Sequence, residues 1–222
     1  MQLPNEVPVM TLPSATLFPQ ALLPLYIFEP RYRRMLADVL ESHRLFAVAM
    51  KKPGASRETP LTVAGLGLVR VAVEHKDGTS HLILQGVARV KLGKTSGYKP
   101  YRRCGIRPME TLPCDSVATD ALLVKVRELL EARLKLGLPF PFPFQTQTKP
   151  GAKEVFSAAE VLKYLDSINN PSAAADLVSC AVLKGPDERQ AILEATDVET
   201  RLRRLVGFLM HEIEAKQKET SE

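Results

Sequence analysis

The sequence predicts an α+β chain: a closed or nearly closed β-barrel over residues 1–112, then a helical bundle over residues 113–222. Three observations predict it. Six strand-like runs with no long helix between them fill the first half. The composition shifts at Leu112-Pro113-Cys114-Asp115, and beyond that point every strong periodicity is helical. The stretch Thr11 to Arg34, TLPSATLFPQALLPLYIFEPRYRR, sets Pro13, Pro19, Pro24 and Pro30 among large apolar residues. No helix interior accepts prolines at that density, since each removes a backbone donor and clashes with the preceding turn. The stretch is therefore extended, two short strands with a corner at Phe18-Pro19, and it feeds a short helix.

In order, Glu6 to Leu12 reads as the first strand and Leu22 to Phe28 as the second. A helix over Arg31 to Leu40 follows, with Pro30 at the first helical position, where its missing N–H costs nothing. Met35, Leu36, Val39 and Leu40 fall at helical spacing. Leu45 to Met50, LFAVAM, is an unbroken apolar run suited to a buried strand. After a polar loop with Pro53-Gly54 and Pro60 comes a hairpin, in which Val69, Val71 and Val73 alternate with Arg70, Ala72 and Glu74. Lys76-Asp77-Gly78-Thr79 makes its turn, where glycine supplies a positive φ, and Leu82 to Leu92 returns with a bulge or bend at Gly86. A last strand runs over Tyr101 to Met109.

In the second half, Val117 to Leu136 carries Leu123, Val126, Leu130 and Leu134 along one face. Ser157 to Glu160 and Thr196 to Glu199 match capping boxes. Asn170-Pro171 caps a helix over Ala173 to Leu183, and Gly185-Pro186 ends it and opens a short helix through Leu193. The last helix has Val198, Leu202, Leu205, Val206, Leu209 and Ile213 on one stripe, with Arg201, Arg203 and Arg204 on its polar face. One segment interrupts the helices. Residues 137–153, GLPFPFPFQTQTKPGAK, contain three Pro-Phe repeats and are predicted to be extended, with Phe140, Phe142 and Phe144 pointing one way. They form either a recognition strip or a loop packed back on its own domain.

The composition, 45% hydrophobic and 25% charged, is that of a globular chain able to bury a core. No apolar run approaches the roughly 18 residues of a membrane span. No secretory signal is readable, and Cys104, Cys114 and Cys180 lack metal-site spacing. A cytoplasmic chain with reduced thiols is the expectation. The net charge of +5 permits acidic partners, nucleic acid included, without demanding them.

Catalytic constellations are missing. There is no phosphate-binding G-x-x-x-x-G-K-[ST] loop and no G-x-S-x-G nucleophile elbow. His211-Glu212 opens an H-E-x-x-H pattern, but Ala215 stands where the second histidine belongs, so no zinc site of that type is expected and Glu212 reads as the solvated end of a helix. No metal and no cofactor are expected. Tyr98 and Tyr101 interleave with Lys99, Arg102 and Arg103, a pattern that suits single-stranded nucleic acid as well as a charged edge strand that discourages pairing.

Four stretches resemble the amino-terminal substrate-recognition domain of the Lon protease family. They are VPVMTLPSATLFPQALLPLYIFEPRY; the hairpin DGTSHLILQGVARV, with Gly86 and Arg89 in the register of the family's D-G…G-x-x-R strand; and LDSINNPSAAADLVSCAVL with ILEATDVETRLRRLVGFLMHEIE. The resemblance covers nearly the whole chain and implies a PUA-like β-barrel followed by a helical bundle. The family's ATPase and Ser–Lys peptidase modules have no counterpart in this sequence, and the Pro-Phe segment departs from the family pattern. The implied function is that of a stand-alone, non-catalytic protein-binding module whose ligands are unfolded or apolar protein segments or a partner protein. The residues expected to bind are Phe18, Tyr26, Phe28, Arg31 and Tyr32, together with Phe140, Phe142 and Phe144. The alternative is an RNA-binding protein using Tyr98, Lys99, Tyr101, Arg102 and Arg103 on the barrel. No membrane contact is expected.

Overall fold

The apolar run LFAVAM forms a strand buried at every position, because both of its faces meet core. Leu45, Ala47 and Ala49 point into one hydrophobic cluster, and Phe46 and Val48 into another. In the computed structural model, which describes residues 3–112, 116–138, 163, 168 and 170–221, the chain divides into two compact units, Met1–Glu110 and Thr111–Glu222.

The first unit runs β1 (Glu6–Leu12), β2 (Leu22–Ile27), α1 (Pro30–Leu40), β3 (Leu45–Met50), β4 (Val63–Glu74), β5 (Ser80–Gly97) and β6 (Arg102–Pro108). The sheet order is β2-β5-β4-β3-β1-β6, and β6 pairs back onto β5, which closes a barrel. All pairings are antiparallel except β1 with β3. The 18-residue strand β5 makes this closure possible. One edge runs along β4, while the other pairs with β2 over Ser80 to Gln85 and with β6 from Val90 onward. The interior is filled by Val7, Val9, Ala47, Ala49, Ala64, Leu66, Val90 and Cys104, small enough to let the strands close. α1 covers the second cluster with Tyr32, Met35, Leu36 and Val39, spaced at three and four.

The proline-rich ribbon turns at Phe18 to Ala21, where the Ala21 N–H donates to the Phe18 carbonyl at 3.2 Å and Gln20 adopts φ 66°. Gly86 accepts this corner. Its carbonyl takes the Gln20 N–H at 2.8 Å, its N–H donates to Ala21, and a Cβ there would collide with the Phe18 carbonyl oxygen. The expected bend is thus a point of close backbone approach. The hairpin turn is as expected, with Gly78 at φ 76°.

The hairpin's phase is not as expected. Val69 is buried, whereas Val71 and Val73 are each 53% exposed. The register of β4 against β5 shifts between Val69 and Val71, which pair with the consecutive residues Leu84 and Ile83. One extra residue, Arg70, reverses the alternation, so Ala72 packs on the core and the two valines face out.

The second unit contains α2 (Ser116–Lys135), α3 (Pro171–Val182), α4 (Pro186–Glu194) and α5 (Val198–Ser221). Asn170 caps α3 through its side chain, accepting from the N–H groups of Ser172 and Ala173. The cap of α5 is one residue later than expected, since the Asp197 carboxylate accepts from the Thr200 N–H at 2.7 Å. The α5 stripe packs as expected, with Leu202, Leu205 and Leu209 almost wholly buried. Two expectations are corrected at buried arginines. Arg201, expected on a polar face, is fully buried against Asp176 at 3.2 Å. Arg133 of α2 is fully buried and bidentate to Glu212, so Glu212 is a counter-ion, not the solvated end of a helix. The predicted cap at Ser157 to Glu160 lies outside the described residues.

Candidate functional site

The reversed hairpin phase creates an exposed apolar face over three strands. Pro24, Ile83 and Val71 align in one cross-strand row, and Tyr26, His81 and Val73 in the next. Together they line a shallow groove of about 360 Å³. Tyr26 is 49% and Phe28 59% exposed, and their rings lie 5.8 Å apart at 30°. His81 packs its ring 4.7 Å from that of Tyr26. At the rim, His75 Nε2 and His81 Nδ1 share a hydrogen bond of 2.7 Å. β2 is the end of the sheet, and Pro24 removes a donor from it, which discourages a further strand at that edge.

A second, polar pocket of about 150 Å³ lies in the same unit, lined by Arg31, Tyr32, Glu58, Tyr98, Tyr101 and Arg102. Glu58 organises it. The Tyr32 hydroxyl donates to its carboxylate at 2.8 Å, Arg31 bonds the other oxygen, and Arg102 donates to its backbone carbonyl at 2.8 Å. Burial alone would raise the Glu58 carboxyl, but the bonds from Arg31 and Tyr32 outweigh it and hold it below the ordinary carboxylate range. Burial, then the bond to Glu58, pushes the Tyr32 phenol well above its ordinary value.

The structure thus sorts the sequence candidates. Tyr26 lines the groove, and Phe28 stacks beside it. Phe18 does not: it is fully buried, so the expectation that it touches a ligand is corrected, and its ring is core. Arg31 and Tyr32 stand in the polar pocket, with Tyr32 only 5% exposed. Phe140, Phe142 and Phe144 lie outside the described residues. Of the nucleic-acid set, Tyr98 is 67% exposed beneath the Arg102 guanidinium, while Tyr101 is buried with its hydroxyl on Asp38. Arg103 is paired with Glu6 at 2.6 Å, and Lys99 is exposed. The sequence reading missed Pro24, Val71, Val73, His81 and Ile83 as groove residues. Only the Tyr26–Phe28 pair carried a legible signal for that face. Among the described residues no group of three or more His, Cys, Asp or Glu is placed to hold a metal ion, and no helix is long and apolar enough to cross a membrane.

The model of one family, described as the ATP-dependent protease La (LON) substrate-binding domain, matches residues 6–211. The chain belongs to this family. Curated relatives of this Lon domain include the Lon protease of Desulfosudis oleivorans, 24% identical over 218 residues, and Lon protease 2 of Sorangium cellulosum, 25% identical over 218 residues. These alignments take in 96% and 95% of the chain but only 25% of each relative, so the chain spans about a quarter of their length. The fold is shared with the solved N-terminal domain of the Mycobacterium avium complex Lon protease, at TM-score 0.69 and 18% identity over 92% of this chain and 98% of that one. A Lon N-terminal domain protein from Xanthomonas campestris aligns at TM-score 0.54 and 15% identity, covering 91% and 97%. The PUA-like barrel followed by helices is therefore a Lon amino-terminal fold, and by family the chain is a substrate-recognition module.

Proposed function

We propose that the barrel unit holds extended, apolar segments of protein substrates on the outer face of β2, β5 and β4, and does no chemistry itself. The observation that carries this is the groove: six side chains from three strands, in register, leave apolar surface in water. Monomeric proteins seldom leave contiguous apolar patches exposed without a partner. The ligand lies across the face, because Pro24 weakens β2 as a template for strand addition. Burial of ligand side chains against Tyr26, Val71 and Val73 supplies affinity. On the sequence alone, Phe140, Phe142 and Phe144 are a second set of proposed contacts, the prolines between them limiting the entropy lost on docking.

The test is a fluorescence-anisotropy titration of a labelled peptide of alternating Leu and Phe, against the protein and its Val71→Glu/Val73→Glu variant. Both valines are exposed, so the variant should keep its melting temperature while affinity falls at least about tenfold, each carboxylate having to lose water against an apolar ligand. Equal affinity for the two proteins would remove the groove from the reading. Single-stranded RNA is the competing ligand, favoured by Tyr98 under Arg102 alone. Capture from cell extract that nuclease abolishes would replace the protein-substrate reading with that one.

A further inference from the structure

One side chain in the floor of the groove is not apolar. His81 stands in register between Tyr26 and Val73, and its only side-chain hydrogen bond among the described residues is the one to His75. The two rings are nearly perpendicular, at 88° with centroids 5.0 Å apart. When both rings are neutral, one N–H donates to a bare nitrogen and the pair is uncharged. A first added proton converts this into a charge-assisted bond, which is stronger. A second proton would leave two donors and no acceptor in the contact, with two like charges against each other. The contact therefore accommodates one added proton and opposes a second.

We propose, resting on the groove reading above, that this histidine pair sets the charge preference of the site. With the pair neutral, the groove takes wholly apolar segments with little regard to their flanks. With the pair singly protonated, a cation lies at the rim, and the groove selects apolar segments flanked by carboxylates over those flanked by lysines. The other charges nearby are Glu74, Lys76 and Asp77 on the hairpin, and Arg33 of α1, whose guanidinium reaches Gly78. Tyr26 is the titratable neighbour on β2. Carboxylates, lysines, arginines and phenols in their ordinary ranges do not change charge between about pH 5.5 and pH 8, so a change of selectivity across that interval belongs to the imidazoles. The Asp77 Oδ1 is held on its own turn by the Thr79 N–H and hydroxyl.

The experiment uses three labelled peptides with one Leu/Phe-alternating core, flanked by Ser, Glu or Lys. Each is titrated at about pH 8 and about pH 5.5 against the full chain and against a His75→Asn/His81→Asn variant. Both histidines are exposed, and unchanged melting temperatures confirm that the variant keeps the fold. The expected result is that the ratio of Kd for Lys-flanked over Glu-flanked peptide rises about threefold to tenfold at the lower pH. This is the size expected of one added charge acting on a few flanking charges at low salt. The rise should disappear in the double variant and at high salt. A ratio that does not move with pH in the unaltered chain, or that moves equally in the double variant, overturns the proposal while leaving the groove as a binding site. Failure of the Ser-flanked peptide to bind at either pH overturns both.

Discussion

Replacing Asp176 with alanine should destabilise the helical unit by about 3–5 kcal/mol, the cost of removing one partner of a buried ion pair. The Arg201 side chain has no exposed surface and that of Asp176 has 3%, with Nη1 and Oδ1 3.2 Å apart. At that distance and an effective dielectric constant of about 20, the gross attraction is about 5 kcal/mol. Ser172 Oγ, Thr111 Oγ1 and the Thr196 carbonyl also accept from Arg201, but they offer only neutral oxygens. Urea unfolding followed by far-ultraviolet circular dichroism measures the effect, and thermal melts should fall by roughly 10 °C, at a few degrees per kcal/mol for a chain of this size. The double variant Asp176→Leu/Arg201→Met should recover most of the loss, because an apolar pair of similar volume needs no counter-charge. A single variant costing under about 1 kcal/mol, or a double variant as unstable as the sum of the singles, would refute the reasoning.

Glu212 gives an acid-dependence. Burial alone would raise its carboxyl, but Arg133, then Lys184, hold it below its ordinary value of 4.5. A carboxylate depressed in the folded state stabilises above its unfolded pKa, and that stability is lost as pH falls through the folded value. Melting temperature should therefore drop between about pH 5 and pH 3, and Glu212→Gln, less stable at neutral pH, should show a shallower drop; parallel curves would count against the pairing. Gly86→Ala should cost about 1–3 kcal/mol, since the new methyl meets the Phe18 backbone, which cannot rotate away; an unchanged urea midpoint would show that the corner yields. Purified protein should leave ATP and unfolded casein intact, and turnover that scales with its concentration through repeated purification would end the non-catalytic reading.

The parts legible in the sequence were those set by local chemistry. Prolines and an apolar run delimit β1 to β3, Asn170-Pro171 marks the start of α3, and spacings of three and four mark the buried stripe of α5. Two kinds of feature were not legible. The exposure of Val71 and Val73 follows from a one-residue bulge, and Arg70 looks like any other polar residue in an alternating strand. The burial of Arg201 and Arg133 follows from partners 25 and 79 residues distant, and a charge reads as solvated until its counter-ion is located. The groove fell into the first gap. Its tyrosine and the neighbouring Phe28 were visible as aromatics, but Phe18 was equally aromatic, and nothing local separates a ring in the core from one in water.

The change of partner along β5 makes its length a fixed quantity. One half carries the groove against β2 and β4, and the other closes the barrel against β6. Side chains alternate with a period of two, so one residue inserted near Gly86 would keep one half in register and turn the other over. Tyr26 and Val73 would then face a strand presenting Leu82 and Leu84 to water, with His81 driven into the core. A surface loop can lengthen without turning a sheet face over, whereas β5 can diversify only by exchanging one side chain for another. New binding preferences on this scaffold are therefore reached by repainting the groove at constant strand length, and a library meant to retarget it should randomise residues 24, 26, 71, 73, 81 and 83 without admitting a single insertion.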